Sequence, residues 1–427
     1  MRVLLSPIGS RGDLQPLLVL GEELRRRGHE VSFATCPNFL GTLRAEGFDA
    51  LSIGSDSNAM ILEHAALAEQ SPVTALPRQL QLLGDETARQ CRDLLLAHLP
   101  RFDLIVAAGL SFAARLLAER QGSHYSFVCY TASAVPSATH PPAALPIFGL
   151  PRWANRALWS LVIGGFTRAV AEPLGRARRE QGLAADARPW FSTHACNAIL
   201  AQDALLGSLP GDARGHGAHV AALARAAGNA ELPARVEEFL QPSQPAQPSQ
   251  PARPAQPSPS SRGGPLVYVG FGSMPSVERA RVVRAVTAFA EAHAARVLLF
   301  SAHAEDAGLE LPSRVLSVGT LDHARLFPRL DLVVHHGGAG TTAAALRAGV
   351  PQLIVPHILD QFFHGRRIAE LGLGPKPAKK RALGQRLLEL SWSEIGAQRK
   401  RASEIAETLT PSGAPAAADY LERLARC

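Results

Sequence analysis

The chain has 427 residues, 46% of them hydrophobic and 19% charged, which is too long for one ordinary core and points to about two domains. No apolar run approaches the roughly 20 residues of a membrane span, and the opening MRVLLSPIGS reads as a first strand rather than a secretory leader, so a cytoplasmic address is expected. The formal charge of +7 raises nucleic acid as a partner, but no basic run is interleaved with aromatics and these are only 6% of residues, which argues against it.

In chain order, MRVLLSPI leads through a glycine-containing turn to the helical PLLVLGEELRRRG, then to the strands HEVSFATC, DLIVAAG and YSFVCYTAS. The segment from His140 to Arg179 follows, with prolines, two tryptophans and an apolar helical stripe. It suits the wall of a greasy acceptor pocket, a membrane-surface helix carrying arginines, or a plain core helix. Residues 241–264 place a proline every two or three positions, which forbids helix or central strand and marks a linker. A flexible chain of that length spans about 25–30 Å.

After the linker the pattern repeats: the strand PLVYVGFG, a helix near RARVVRAVTAFAEAHAA, then the strands RVLLFSA, RVLSVGT, DLVVHHGG and PQLIVPH. Strands alternating with helices imply a parallel sheet in each half. The expected fold is therefore α/β, two Rossmann-like doubly wound domains facing across a cleft. Their bounds are 1–240 and 265–410, and the amphipathic helix of 411–427 is a candidate to pack back on the first. Ligands of such sheets bind beyond the carboxyl ends of strands, so chemistry is sought in the turns that follow them. The five cysteines are odd in number, scattered and without a C-x-x-C pair, so they suggest neither a disulfide framework nor zinc.

The densest signal is DLVVHHGGAGTTAAALRAG, residues 331–349: a buried strand, a glycine-rich turn and an Ala-rich helix. Gly337, Gly338 and Gly340 let backbone approach an anion, the helix start offers N–H groups and a positive dipole end, His336 offers a charge-assisted hydrogen bond, and Thr341 and Thr342 offer hydroxyls. The alternative is a tightly packed turn with the threonines as caps. Further on, Asp360 and Gln361 follow a strand that ends at His357; a carboxylate beside an amide can read neighbouring sugar hydroxyls, or cap a helix. The turn of VYVGFGSMP puts Gly270, Gly272 and Ser273 at a strand end. Pro275 stands where a dinucleotide fingerprint needs its third glycine, which disfavours a nicotinamide enzyme. Ser273 reads equally as a phosphate donor or as a turn residue.

Together, GSRGDLQP at 9–16, GFGSMP at 270–275, LFPRLDLVVHHGGAGTT at 326–342 and GVPQLIVPHILDQFFHGRRIAELGLGPKP at 349–377 resemble the UDP-glycosyltransferase superfamily, in particular its bacterial and fungal branch of sterol, antibiotic-aglycone and rhamnolipid glycosyltransferases. The resemblance implies the GT-B fold, inversion at the anomeric carbon, a UDP- or TDP-hexose donor, a lipophilic acceptor hydroxyl and no required metal or cofactor. By motif position it implies His336, Gly338, Gly340, Thr341, Thr342 and Ser273 at the diphosphate, and Asp360 and Gln361 at the hexose. Ser10, Gly12 and Gly272 fall in the nucleotide-facing loops, and Asp13 in the place of the catalytic base. Ala344 replaces the ribose-holding Glu of many relatives, and no base-stacking Trp stands near Leu321, which leaves uridine against thymidine open.

Asp13 has a competing reading as an N-cap, with Pro16 near the start of its helix. A carboxylate near its reference pKa of ~4 is a weak base toward an alcohol, so proton transfer is expected late, once C–O bond formation has acidified the hydroxyl. Growing charge on the diphosphate would be met by the helix end, His336 and the hydroxyls; no Asp-x-Asp occurs. The rival functions are a sugar-nucleotide epimerase or hydrolase, and a non-catalytic partner that binds nucleotide sugar.

Overall fold

The computed structural model describes residues 1–60, 63, 72–225, 228, 231–241, 263–272, 279–301 and 311–426. Most of the proline-rich tract, 242–262, and Ser273 lie outside the described residues. The chain divides into two compact units.

The first unit comprises Met1–Ala224 and Ser412–Cys427. Its strands are β1 (Arg2–Ile8), β2 (Glu30–Thr35), β3 (Asp49–Ser52), β4 (Leu104–Gly109), β5 (His124–Cys129), β6 (Ala198–Ala201) and β7 (His216–Val220). They form one seven-stranded sheet in the order β3-β2-β1-β4-β5-β6-β7, parallel throughout. The helices are α1 (Arg11–Arg26), α2 (Leu40–Ala45), α3 (Pro72–Leu96), α4 (Ala113–Gln121), α5 (Arg152–Glu180) and α6 (Pro189–His194). Central strands such as LIVAA are apolar on both faces because helices cover both sides, which leaves two cores, one per face.

Helix α5 begins at Arg152 and takes up most of the segment from His140 to Arg179 that sequence left open. Trp159, Phe166, Val170 and Leu174 are buried, and Phe166 joins Phe112, Phe127, Trp190 and His194 in an aromatic cluster. Its other face exposes Trp153 (72%) and Leu161 (66%).

The second unit runs from Arg225 to Pro411 among the described residues. It holds the helix α7 (Ala234–Leu240), the strands β8 (Leu266–Gly270), β9 (Arg296–Phe300), β10 (Val315–Val318), β11 (Leu332–His335) and β12 (Gln352–Ile354), and the helices α8 (Arg279–Ala292), α9 (His323–Leu326), α10 (Ala339–Arg347), α11 (Gln361–Glu370), α12 (Leu383–Leu388) and α13 (Trp392–Ala406). The five-stranded parallel sheet has the order β10-β9-β8-β11-β12.

The boundary at residue 240 needs correction at α7. Val236 and Leu240 pack with Leu266, Tyr268 and Leu298, so this helix is part of the second unit's core. The last helix, α14 (Ala414–Leu424), buries Ala414, Ala417, Ala418 and Leu421 against the first unit's core. Arg27 reaches Asp419 at 2.6 Å and His29 reaches Glu422 at 2.9 Å beside that seam. Burial of Leu421 alone is worth about 2 kcal/mol.

Each sheet reverses its winding once. In the first unit β1 has β2 on one side and β4 on the other; in the second, β8 has β9 on one side and β11 on the other. The loops leaving these strand pairs diverge, and the gap between them is where open α/β sheets bind ligands.

Candidate active site

In the first unit the register pairs Ile8 with Gly109, so β1 and β4 end side by side at the reversal point. Beyond them lies Asp13. Gly9 (φ +141°) and Gly109 (φ +64°) take backbone conformations that favour glycine. A Cβ on Gly9 would stand 2.4 Å from Asp13 Oδ2, and one on Gly109 would stand 2.8 Å from Asp13 Oδ1. Two distant glycines thus make the slot that the carboxylate fills.

Asp13 is not the N-cap residue. Ser10 is the N-cap of α1, and Asp13 sits at its third position as the acidic half of a capping box. Asp13 Oδ2 accepts from the Ser10 N–H at 2.8 Å and from the Ser10 hydroxyl at 3.1 Å, while Ser10 Oγ accepts from the Gly12 N–H at 3.1 Å. The Asp13 carbonyl accepts from the Tyr130 hydroxyl at 2.9 Å. In this arrangement the polar groups of Ser10 and the Gly12 N–H serve the helix cap and the aspartate. The pattern S-x-x-D was the signal in the sequence.

In the second unit, β8 and β11 pair Gly270 with His335, so the turns holding Gly272 and His336 emerge together. The His336 ring lies between two glycines. A Cβ on Gly272 (φ +64°) would meet His336 Cε1 at 3.1 Å, and one on Gly338 would meet His336 Nε2 at 2.6 Å. His336 Nδ1 is buried with no hydrogen-bond partner among the described residues. Burial, reinforced by His364, lowers the His336 pKa to about 4. The protein surroundings therefore hold this ring neutral at pH 7, and the hydrogen bond it offers comes from a neutral imidazole rather than from the charged one expected.

Gly338 is the N-cap of α10, with φ −61° and ψ 145° and no side-chain cap. Residues 339–341 form the first turn, whose N–H groups point away from the helix body and carry the positive end of its dipole. No described residue lies within 4 Å of a Cβ built on Gly340, so among the described residues this N-terminus is open to an anion. Thr341 is half-buried on the same turn. Thr342 differs: it is fully buried, and its hydroxyl donates to the Gly338 carbonyl at 2.9 Å. In this arrangement that proton is used inside the helix.

Asp360 occupies the N-cap position of α11 without making a side-chain cap bond. Its carboxylate lies 3.6 Å from His364 Nδ1, and burial raises its pKa. Gln361 Oε1 accepts from the N–H groups of His357 at 2.7 Å and Ile358 at 3.0 Å, so the amide oxygen braces the loop and only the Nε2 side remains to donate. Leu359, beside Asp360, is a non-glycine residue at φ +51°, a strained geometry of the kind that clusters at ligand-binding loops. Burial also lowers the pKa of His357, to about 4.

Two family models match the chain: the glycosyltransferase family 28 N-terminal domain over residues 3–132, and the erythromycin biosynthesis protein CIII-like C-terminal domain over 283–422. The glycosyltransferase GtfE of Amycolatopsis orientalis is 33% identical over 99% of this chain and 97% of its own. The chain belongs to the GT-B glycosyltransferases. The vancomycin aglycone glucosyltransferase of the same organism is 29% identical over 99% of this chain and 97% of its own.

 Among solved structures, the Streptomyces sp. SF2575 glycosyltransferase SsfS6 superposes with a TM-score of 0.62 at 18% identity over 99% of both chains. Its complex with thymidine diphosphate gives 0.60 at 20% identity over 100% of both chains. The spinosyn rhamnosyltransferase SpnG complexed with thymidine diphosphate gives 0.61 at 18% identity over 97% of this chain and 98% of that one. At these identities the likeness establishes the fold.

For this glycosyltransferase, sequence reasoning singled out Gly272, His336, Gly338, Gly340 and Thr341, which the structure brings together at two adjacent strand-end turns of the second unit. It missed Gly9 and Gly109, which shape the Asp13 slot, and Gln352 and His364, whose links to the turn are visible only once the chain is folded.

Proposed function

We propose that the enzyme transfers a hexose from a UDP- or TDP-sugar to a hydroxyl of a lipophilic small molecule, with inversion and without a metal. The observation that carries this reading is the His336 ring, seated between Gly272 and Gly338 with a buried, unpartnered Nδ1 at the open N-terminus of α10. A diphosphate supplies what that site lacks: acceptor oxygens for an imidazole N–H and for the first-turn N–H groups. The relatives support the acceptor class, since one is named for a vancomycin aglycone, and a fold neighbour is titled as a complex with thymidine diphosphate.

In the proposed reaction the acceptor oxygen forms the new bond to the anomeric carbon as the bond from that carbon to the diphosphate breaks. The leaving electron pair goes to the diphosphate, where the helix end, His336 and Thr341 stabilise it. The acceptor proton passes to Asp13, late in bond formation. Asp360 and the Gln361 amide N–H₂ hold hexose hydroxyls. No cofactor takes part in this scheme.

The test is turnover of UDP-glucose, TDP-glucose and TDP-rhamnose in the presence of EDTA, against sterols, macrolide aglycones and hydroxy-fatty-acid lipids. Wild type is compared with Asp13→Ala and His336→Ala. A glycosylated product that is lost in both variants supports the assignment. Release of free sugar or an epimer without any acceptor, or nucleotide binding with no transfer, overturns it.

A further inference from the structure

Gly337 is the turn residue between β11 and α10. Its φ is +94°, and a Cβ there would stand 2.7 Å from Ile354 Cγ2, so neither the conformation nor the space admits a side chain. Both polar groups of this residue are held by histidines. The Gly337 N–H donates to His335 Nδ1 at 3.1 Å, which requires that Nδ1 carry no proton. The His335 proton is then on Nε2, which donates to Gln352 Oε1 at 2.9 Å, and Gln352 Nε2 donates in turn to the Thr342 carbonyl at 3.3 Å. On the other side, His364 Nδ1 donates to the Gly337 carbonyl at 2.7 Å. Both rings are fully buried, with side chains 0% exposed.

We propose that His335 and His364 are positioning residues that clamp Gly337 and so fix its two neighbours, His336 and Gly338, in the geometry that receives a nucleoside diphosphate. This rests on the donor-site reading above. The chain of bonds ties the turn to β12 through Gln352, to α10 through Thr342 and to α11 through His364, so a shift of any of these reaches the His336 ring. The two histidines serve opposite roles: His335 must accept at Nδ1, and His364 must donate from Nδ1. A protonated His335 would set one N–H against another.

Asparagine places an oxygen or an amide N–H₂ near the Nδ1 position, so it can reproduce either role, whereas leucine reproduces neither. The experiment measures dissociation constants for UDP and TDP by calorimetry, with donor and acceptor KM and kcat, for wild type, His336→Ala, and the Leu and Asn variants at 335 and 364. The expected result is about tenfold weaker nucleotide binding in each Leu variant, the worth of one lost buried hydrogen bond, recovery to within about threefold in each Asn variant, and an unchanged acceptor KM. Leu variants that bind nucleotide as tightly as wild type, or Asn variants that bind as weakly as Leu, overturn the clamp. If wild type binds neither nucleotide, the donor-site reading falls and the clamp falls with it. Where a Leu variant does not fold, the ¹⁵N imidazole spectrum of wild type decides: His335 protonated only at Nε2 and His364 protonated at Nδ1 support the clamp, and any other pattern overturns it.

Discussion

Gly109 leaves the space that Asp13 fills: a Cβ at position 109 would stand 2.8 Å from Asp13 Oδ1 and 2.2 Å from the Ile8 carbonyl. Gly109→Ala is therefore expected to destabilise the first unit by about 1–3 kcal/mol, through its φ of +64° and these contacts. It should also lower kcat more than it raises the donor KM. Asp13→Asn keeps an oxygen for the Ser10 N–H but removes the base, so it is expected to stay folded and to lose about 10²–10⁴ in turnover. Thermal unfolding paired with steady-state kinetics checks both variants. An Asp13→Asn enzyme of near wild-type rate would mean that the carboxylate serves the helix cap alone.

At Gly340 the space is open, so protein packing does not forbid a methyl group. Gly340→Ala is expected to leave stability unchanged or raise it by up to about 1 kcal/mol, while weakening nucleotide binding about tenfold because the methyl stands where an anion would approach. A calorimetric titration beside a melting curve tests this. Unchanged nucleotide affinity would move the diphosphate away from this helix end.

The two neighbouring threonines should separate. Thr341→Val is expected to raise the donor KM, since its hydroxyl lies on the open first turn. Thr342→Val removes a bond that stays inside the helix and should leave the donor KM within about twofold, with a stability cost of about 1 kcal/mol. Equal effects on the donor KM at both positions would contradict the assignment.

Folding stability should depend on pH. His194, His335, His336 and His357 have pKa values lowered by burial to about 4, 3, 4 and 4. The folded state keeps these rings neutral, while the unfolded chain binds protons near pH 6.5. Their contribution is complete above pH 6.5 and is lost as pH falls toward 3–4, at about 1.4 kcal/mol per pH unit for each ring. Denaturant midpoints measured at pH 7.5 and 5.5 should therefore differ, with the lower value at pH 5.5. A midpoint that does not fall would show that the rings accept protons without cost.

The sheet strands with apolar β-branched runs, such as LVVH and RVLLF, were legible because both faces of a parallel sheet are covered. Strand β7, HGAHV, has no such pattern; pairing with β6 at the sheet edge makes it a strand. The glycine-rich turn was legible from composition and spacing. The partners of that turn were not, since His364 meets Gly337 across 27 residues. Nor was the use of the Thr342 hydroxyl, which depends on the rotamer that the buried helix face imposes. Asp13 was singled out by resemblance, yet the local pattern from Ser10 already described its hydrogen bonds.

Helix α14 closes a core whose other members lie within the first 224 residues. During synthesis, the apolar surface beside Leu14, Leu17 and Leu18 must wait for residues 414–421 to leave the ribosome, even though the intervening unit has by then been made in full. The first unit is thus completed after the second. Truncation before residue 412 would injure the unit that is made first, leaving the second with its own core intact.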